Sequence, residues 1–433
     1  MFEALRASLR SVRAVQRVGR LSEVGPATCR VTGLSDIAAL GDRVAFGPDT
    51  QSGAGEVIHI AAAGITVLPD GPTTGLSIGQ AVAHLGPATL APDRGWIGRI
   101  IDPDGQPLDG RPLFPGAVGR SLRAAPPAPT QRRRLGSRLA TGLAAFDTLL
   151  PLVRGQRLGL FAGSGVGKSS LLGDLARGVA ADVTVLALVG ERGREVRAFA
   201  EDVLGASGLS RSIIVAATSD QSPLVRRRCP LAAMAVAEHF RDQGAQVLFL
   251  CDSITRFAEA HREVVLAAGE PAALGGWPPS LAHAVMALAE RAGPGAGGAG
   301  DITAVFSVLV AGSDMEEPVA DILRGVLDGH VVLDRGISER GRFPAVDLLR
   351  SVSRSLPDCA TGPENALIAE ARQLLSARDK VDLMVQSGLY LSGSDPLTDR
   401  AIRLFPLLDA FLAERSASPA EAFLRLGRIL GHG

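Results

Sequence analysis

The sequence predicts an α/β protein: a parallel sheet built around a glycine-rich phosphate loop (P-loop), preceded by a small β-barrel and followed by a helical domain. Three observations carry this. Short β-like runs separated by turn residues fill the stretch from Val18 to Leu68. Between Leu158 and Leu349, near-continuous apolar runs alternate with helical stretches, the pattern of a parallel sheet covered on both faces. From Gly362 onward, apolar residues keep helical spacing and no strand is evident. The domain boundaries this suggests are 1–95, 96–356 and 357–433.

Taken in order, the first stretch, MFEALRASLRSVRAVQRVGR, spaces Arg6, Arg10, Arg13 and Arg17 along one helical face and Phe2, Leu5, Leu9 and Val12 along another. It reads as a basic amphipathic helix, by its residues alone an ordinary surface helix. The runs CRVT (29–32), RVAF (43–46), VIHI (57–60) and ITVL (65–68), with turns at Gly33, Gly41–Asp42 and Gly64, predict the antiparallel barrel. GWIGRIIDPDGQPLDGRPLF, 95–114, leaves it. Pro126, Pro127 and Pro129 followed by Arg132, Arg133 and Arg134 read as a loop. LGLF, VTVLALV, IIVAA, VLFLCD and ITAVFSVLV are the predicted core strands, and SSLLGDLARGVA and MAVAEHFRDQG two of the helices between them. RAGPGAGGAGD, 291–301, is expected to be a flexible loop interrupting that core. In the tail, Leu367, Ala371, Leu374 and Leu375, then Ile402, Leu404, Leu408 and Phe411, mark helices.

Composition narrows the function. At 433 residues the chain holds about three domains of roughly 150 residues each. Lys+Arg and Asp+Glu are both 45, so no general attraction to nucleic acid or acidic membranes follows, and aromatics at 4% leave little base-stacking surface. The four cysteines, Cys29, Cys229, Cys251 and Cys359, form no CxxC pair and suggest neither a disulfide framework nor a zinc site. Arginines interrupt the N-terminus where a signal peptide needs its apolar run, and no 18-residue apolar stretch occurs, so a cytoplasmic protein is expected. Only two of the 45 cations are lysines, Lys168 and Lys380. A lysine kept in so arginine-rich a chain points to a tight site that Arg's planar fork cannot enter.

Lys168 lies in LGLFAGSGVGKSSLL, an apolar strand, a glycine-rich turn, Lys-Ser and a helix, in P-loop order. Gly163, Gly165 and Gly167 are expected to permit positive φ, letting backbone N–H groups wrap a triphosphate at the positive end of the new helix. Lys168 reaches the β- and γ-phosphates in this reading, and the Ser169 hydroxyl ligates Mg²⁺. Ala162 stands where the first glycine of GxxxxGK[ST] belongs, and alanine tolerates such a turn less freely. Downstream, VLFLCD ends in Asp252, placed to hold the water shell of Mg²⁺. Between them, VTVLALVGERGREV ends a strand at Glu191 and Arg192. That strand is expected to adjoin the P-loop strand, where Glu191 polarises the attacking water and Arg192 senses the γ-phosphate; the alternative is an exposed, mutually paired turn, and spacing leaves both open.

With these motifs in place, the chain resembles the catalytic subunits of the rotary F-type and V-type ATPases, and within that superfamily the flagellar type III export ATPases. The residues that carry the resemblance are GWIGRIIDPDGQPLDG, FAGSGVGKSSLL, VGERGREV, ATSDQSPLVRRR, CDSITRFAEAHREV, GEPAALGGWPPSL, ERAG, LVAGSDMEEPVADILRGVLDGHVVLDR, RFPAVDLLRSVSR and GSDPLTDRAI, from about Gly95 to Ile402. FAGSGVGKS, with Ala162, resembles the export ATPases' own loop.

The resemblance implies a RecA-like ATPase domain that binds ATP through Gly163, Ser164, Gly165, Val166, Gly167, Lys168, Ser169 and Ser170. It implies Mg²⁺ held by Ser169 and Asp252, Glu191 as catalytic carboxylate, and Arg192 near the γ-phosphate. Phe343, which sequence alone reads as a core residue, becomes the ring stacked on adenine. Arg354, otherwise a surface residue, becomes an arginine finger entering the neighbouring subunit's site, a group worth on the order of 10³ to 10⁵ in rate. One chain carrying both halves of a shared site implies a homohexamer. The implied partners are a flagellar export regulator or stator protein, the export gate and chaperone–substrate complexes, with peripheral contact at the cytoplasmic face of the inner membrane through the N-terminal basic helix. An ATPase of virulence-effector secretion shares every motif. A non-catalytic ring subunit is disfavoured by Glu191, and an RNA-translocating hexamer by Phe46 being the only aromatic between Val18 and Gly95.

Overall fold

The computed structural model describes residues 15–47, 53–310 and 317–432. The expected N-terminal helix falls almost wholly on residues 1–14, outside that range. Arg17 lies inside it, just before the first strand, and its carbonyl accepts the His84 amide at 2.9 Å. The arginine-bearing helical face therefore does not extend to Arg17.

Six antiparallel strands close the barrel: β1 Val18–Val24, β2 Cys29–Thr32, β3 Asp42–Phe46, β4 Ala54–Ala61, β5 Gly64–Pro69 and β6 Ala81–Pro87, in the order β1-β2-β5-β4-β3-β6. Alternate side chains of these strands (Leu21, Val31, Val44, Phe46, Ile65, Val67, Val82) fill the interior. Gly33 and Gly64, at φ 83° and 153°, make the turns read from the sequence. β6 lies beyond the run of strands read from the sequence, yet it completes the barrel by pairing with both β1 and β3.

The chain then crosses to the second sheet. β7 Thr89–Leu90 pairs with β9 Arg120–Ser121, and between them β8 Arg99–Ile101 joins the edge of the large sheet. That sheet contains β10 Arg157–Ala162, β11 Val183–Glu191, β12 Ser212–Thr218, β13 Val247–Asp252, β14 Gly293–Pro294, β15 Asp301–Leu309, β16 Gly329–Leu333 and β17 Val346–Ser353. Its order is β17-β16-β10-β15-β13-β11-β12-β8, with β14 on the side of β15. The pairings along this path are parallel except for the antiparallel edge strand β17.

Parallel strands buried on both faces must be apolar throughout, and alternation decides which layer each residue enters. In β11, Leu186 and Leu188 join one apolar cluster, while Val185, Ala187 and Val189 join the other. The first cluster takes helix α1, Lys168–Gly178; the second takes α2 Pro223–Asp242, α3 Ile254–Ala267 and α4 Ser280–Arg291. After α5, Pro318–Val326, and β17, the tail folds as α6 Gly362–Lys380, α7 Pro396–Ala413 and α8 Pro419–Leu430. α6 opens on a capping box between Thr361 and Glu364, and Ile368, Leu374, Leu408, Phe411 and Leu426 continue the α1 layer.

Two expectations change. Within the glycine-rich stretch 291–301, Gly293–Pro294 fold back as β14 against β15, and Asp301 accepts from Arg133 at 2.6 Å and from the Gly295 amide at 3.1 Å. β11 does not adjoin the P-loop strand β10: β15 and β13 stand between them. Sequence order places strands along the chain, but crossovers decide their neighbours.

Candidate active site

The P-loop leaves β10 at Ala162, which is still in the strand and fully buried. The first glycine's freedom is not called on at this position, which removes the objection to alanine. Positive φ occurs at Gly165 (78°) and Gly167 (87°) but not at Gly163. A Cβ added at Gly165 would meet nothing within 4 Å, so the loop is an open cradle there. Val166, 2% exposed, pins the loop to the core. Gly167 hands over to α1, whose first residue is Lys168, so the amides of Lys168, Ser169 and Ser170 form the helix's positive end.

The lysine does not stand alone. Its Nζ is ion-paired with the Asp252 carboxylate, and the Ser307 hydroxyl donates to Asp252 Oδ1 at 2.8 Å. Asp252 ends β13 and Ser307 lies in β15, the strand between β13 and β10, so the sheet order brings loop, carboxylate and hydroxyl together. Asp252 is 4% exposed.

Glu191 reaches the same cleft from the end of β11. The register with β12 breaks between Val189 and Glu191, at Gly190 with φ 69°. Burial, the negative Asp252 and a hydrogen bond with Glu195 push Glu191 up from 4.5 to about 7, against the opposing pull of Lys168. Glu195 moves the other way, lowered chiefly by that same hydrogen bond. A proton shared by the two carboxyls therefore resides on Glu191. Arg192 borders the cleft, but its guanidinium turns to Glu195 at 3.3 Å. The pair in this turn is thus Arg192 with Glu195, not with Glu191.

The cleft holds about 1130 Å³ and is lined by the whole run from Ala162 to Ser170, by Glu191 and Arg192, and by residues that motif reading missed. Arg226, Arg256 and Arg335 add cations around it, and Thr255 Oγ accepts the Leu309 amide at 2.9 Å. Arg256 stands in the first turn of α3, just after the strand-end Asp252, the signal that could have found it. Phe343 is half exposed and lies against the loop: a Cβ placed on Gly167 would meet its ring at 3.1 Å. The core reading of Phe343 is overturned.

Arg354 is elsewhere. β17 runs back to Ser353, which pairs with Gly329 at the start of β16, whereas Ala162 pairs with Leu333 at its end. About 13 Å of strand separates the two levels. Arg354 donates to the carbonyls of Leu327 and Arg324, both at 3.1 Å, at the C-terminal end of α5. It does not face its own chain's cleft.

Ser169 and Asp252 are hard oxygen donors suited to Mg²⁺, and the described residues contain no cluster of three or more His, Cys, Asp or Glu that could hold a metal ion. Such a site fits a cation carried mainly by phosphates and water.

Residues 142–353 match the ATP synthase alpha/beta family, nucleotide-binding domain, and residues 361–423 match the T3SS EscN ATPase C-terminal domain. The chain is 42% identical to the flagellum-specific ATP synthase of Caulobacter vibrioides, over 97% of this chain and 98% of that one. It is 38% identical to the type 3 secretion system ATPase of Xanthomonas euvesicatoria, over 95% and 92%. Among solved structures, it superimposes on the assembled ATPase EscN of the enteropathogenic E. coli type III secretion system with TM-score 0.88 and 36% identity, covering 95% of this chain and 100% of that one. The same ATPase in complex with its central stalk EscO gives TM-score 0.86.

Proposed function

The chain belongs to the export-ATPase branch of the ATP synthase alpha/beta family, and on that premise we propose that it hydrolyses Mg-ATP in a ring of identical copies to drive flagellar protein export. The observation that carries the reading is the convergence of Lys168, Asp252 and Ser307 under an open P-loop, with a proton-binding Glu191 across the same cleft.

The loop amides and the α1 N-terminus bind the phosphates. Lys168 exchanges Asp252 for the β- and γ-phosphates, which frees a carboxylate oxygen. Ser169 and Asp252 would hold Mg²⁺ or its waters, which when bound neutralises phosphate charge. Glu191, once deprotonated, accepts a proton from the attacking water and aligns it with the γ-phosphorus. Phe343 stacks on adenine, and Arg192 swings from Glu195 toward the γ-phosphate. Arg354, unable to face its own cleft, enters that of the next copy. A six-membered ring is proposed on the resemblance to the rotary ATPases, and a stalk-like partner on the likeness to assembled EscN in complex with its central stalk EscO.

Flagellar rather than virulence export is favoured by the relatives named flagellum-specific ATP synthase at 42–44% identity. Loss of motility on deletion tests it. Export gate, regulator and chaperone–substrate contacts, and docking of the basic N-terminal segment at the cytoplasmic face of the inner membrane, complete the proposal. Among the described residues no helix is long and apolar enough to cross a membrane.

The enzymatic core is tested by phosphate release from purified protein with Mg-ATP. Lys168→Ala is expected to reduce turnover to background, and undiminished turnover would contradict the phosphate-site assignment.

A further inference from the structure

The turn that carries Phe343 is built on its neighbour. Arg342 is only 8% exposed, whereas Phe343 is half exposed. The Arg342 guanidinium donates to the Pro344 carbonyl at 3.1 Å and to the Val346 carbonyl at 2.8 Å, closing its fork over the turn's own backbone. Its Nε stands 3.0 Å from Asp409 Oδ1 on α7. The Nε–H is not aligned on the carboxylate as a hydrogen bond, so this tie is Coulombic. The other charges acting on Arg342 are Arg340, which repels it, and Asp334 and Asp347, which attract it. All three belong to its own stretch, so within that set Asp409 alone comes from the tail.

An apolar residue would fill the same space without the cost of burying a cation. What only the planar fork does is donate to two carbonyls while its charge faces a carboxylate. The result is a continuous path: α7, Asp409, Arg342, the Phe343–Pro344 turn, the Phe343 ring and Gly167 of the P-loop.

Resting on the reading of Phe343 as the adenine-stacking ring, we infer that Arg342 and Asp409 are positioning residues for the purine base. The tail helix α7 sets where the Phe343 ring stands over Gly167, so a displacement of α7 changes base affinity while leaving the phosphate cradle intact.

The test is steady-state ATPase kinetics on the full chain, with tripolyphosphate, which has no base, as a competitive inhibitor. Phe343→Ala is expected to raise KM for ATP about tenfold or more, as loss of a base–aromatic stack requires. Asp409→Ala is expected to raise KM about fivefold, a fraction of that stack, with kcat within about twofold and the tripolyphosphate Ki unchanged. Asp409→Glu should recover most of the loss. Where Asp409→Ala fails to fold, the isosteric, uncharged Asp409→Asn carries the same expectation. An unmoved KM in Phe343→Ala sinks the adenine reading itself. A raised KM in Phe343→Ala with none in the Asp409 variants overturns the positioning inference alone. So does a tripolyphosphate Ki that rises in step with KM, because it marks general damage to the loop.

Discussion

At the scale of the residue, the proposed mechanism turns on one proton. Glu191 binds it more tightly in the fold than in the unfolded chain, its value rising from 4.5 to about 7. A raised carboxyl value means that the fold loses stability as pH climbs through that window, and neither gains nor loses from this group above it. Glu191→Gln removes the penalty, so the nucleotide-free variant should melt above the wild type at pH about 8 and lose that advantage below the ordinary carboxylate range. Catalysis has the opposite sign: a base must be ionised, so kcat/KM should rise with pH through about 7. An acidic limb at the ordinary value of 4.5 would mean that Glu191 is not the base. Lys168 was legible because only two lysines occur in the chain, and Asp252 because it ends an apolar strand. Ser307 was not, since a hydroxyl inside an apolar run carries no periodic signal until the strands are placed side by side.

At the scale of the element, packing across the layers decides how firmly the cleft is held. α2 and α4 are joined by Arg291 and Glu238, both nearly inaccessible, through bonds of 2.9 and 2.7 Å, and Arg291 also donates to the Leu122 carbonyl at 2.6 Å. Glu238→Ala leaves that guanidinium buried without its counter-charge and should lower unfolding stability by about 3–5 kcal/mol in denaturant titration, with nucleotide affinity unchanged. A loss under about 1 kcal/mol would show that water reaches the pair. The strands themselves were readable from apolar runs and turn glycines. Their lateral order was not, which is why β11 was wrongly expected beside β10. β6 was missed because AVAHLGP mixes small and polar residues and only its two neighbours make it a strand.

At the scale of the whole molecule, the decisive observation is that Arg354 and the cleft of the same chain lie at opposite ends of the sheet, so that in the proposed ring each copy would supply half of a shared site. Lys168 and Glu191 open on the cleft beyond the strand ends; Arg354 lies at the level of the strand starts, held by the carbonyls of Leu327 and Arg324. No periodicity or motif spacing shows that separation, and only the family resemblance suggests a role for Arg354 in SVSR. Turnover per subunit should rise with protein concentration if sites form between copies, and a flat profile at all dilutions would favour a self-sufficient subunit. The most direct measurement mixes two inactive proteins, Arg354→Ala and Glu191→Gln, allows subunits to exchange, and follows phosphate release. Shared sites predict recovered hydrolysis, with about a quarter of interfaces pairing an intact Glu191 with an intact Arg354 in an equal mixture. Mixed rings that stay as inactive as either parent would contradict the account.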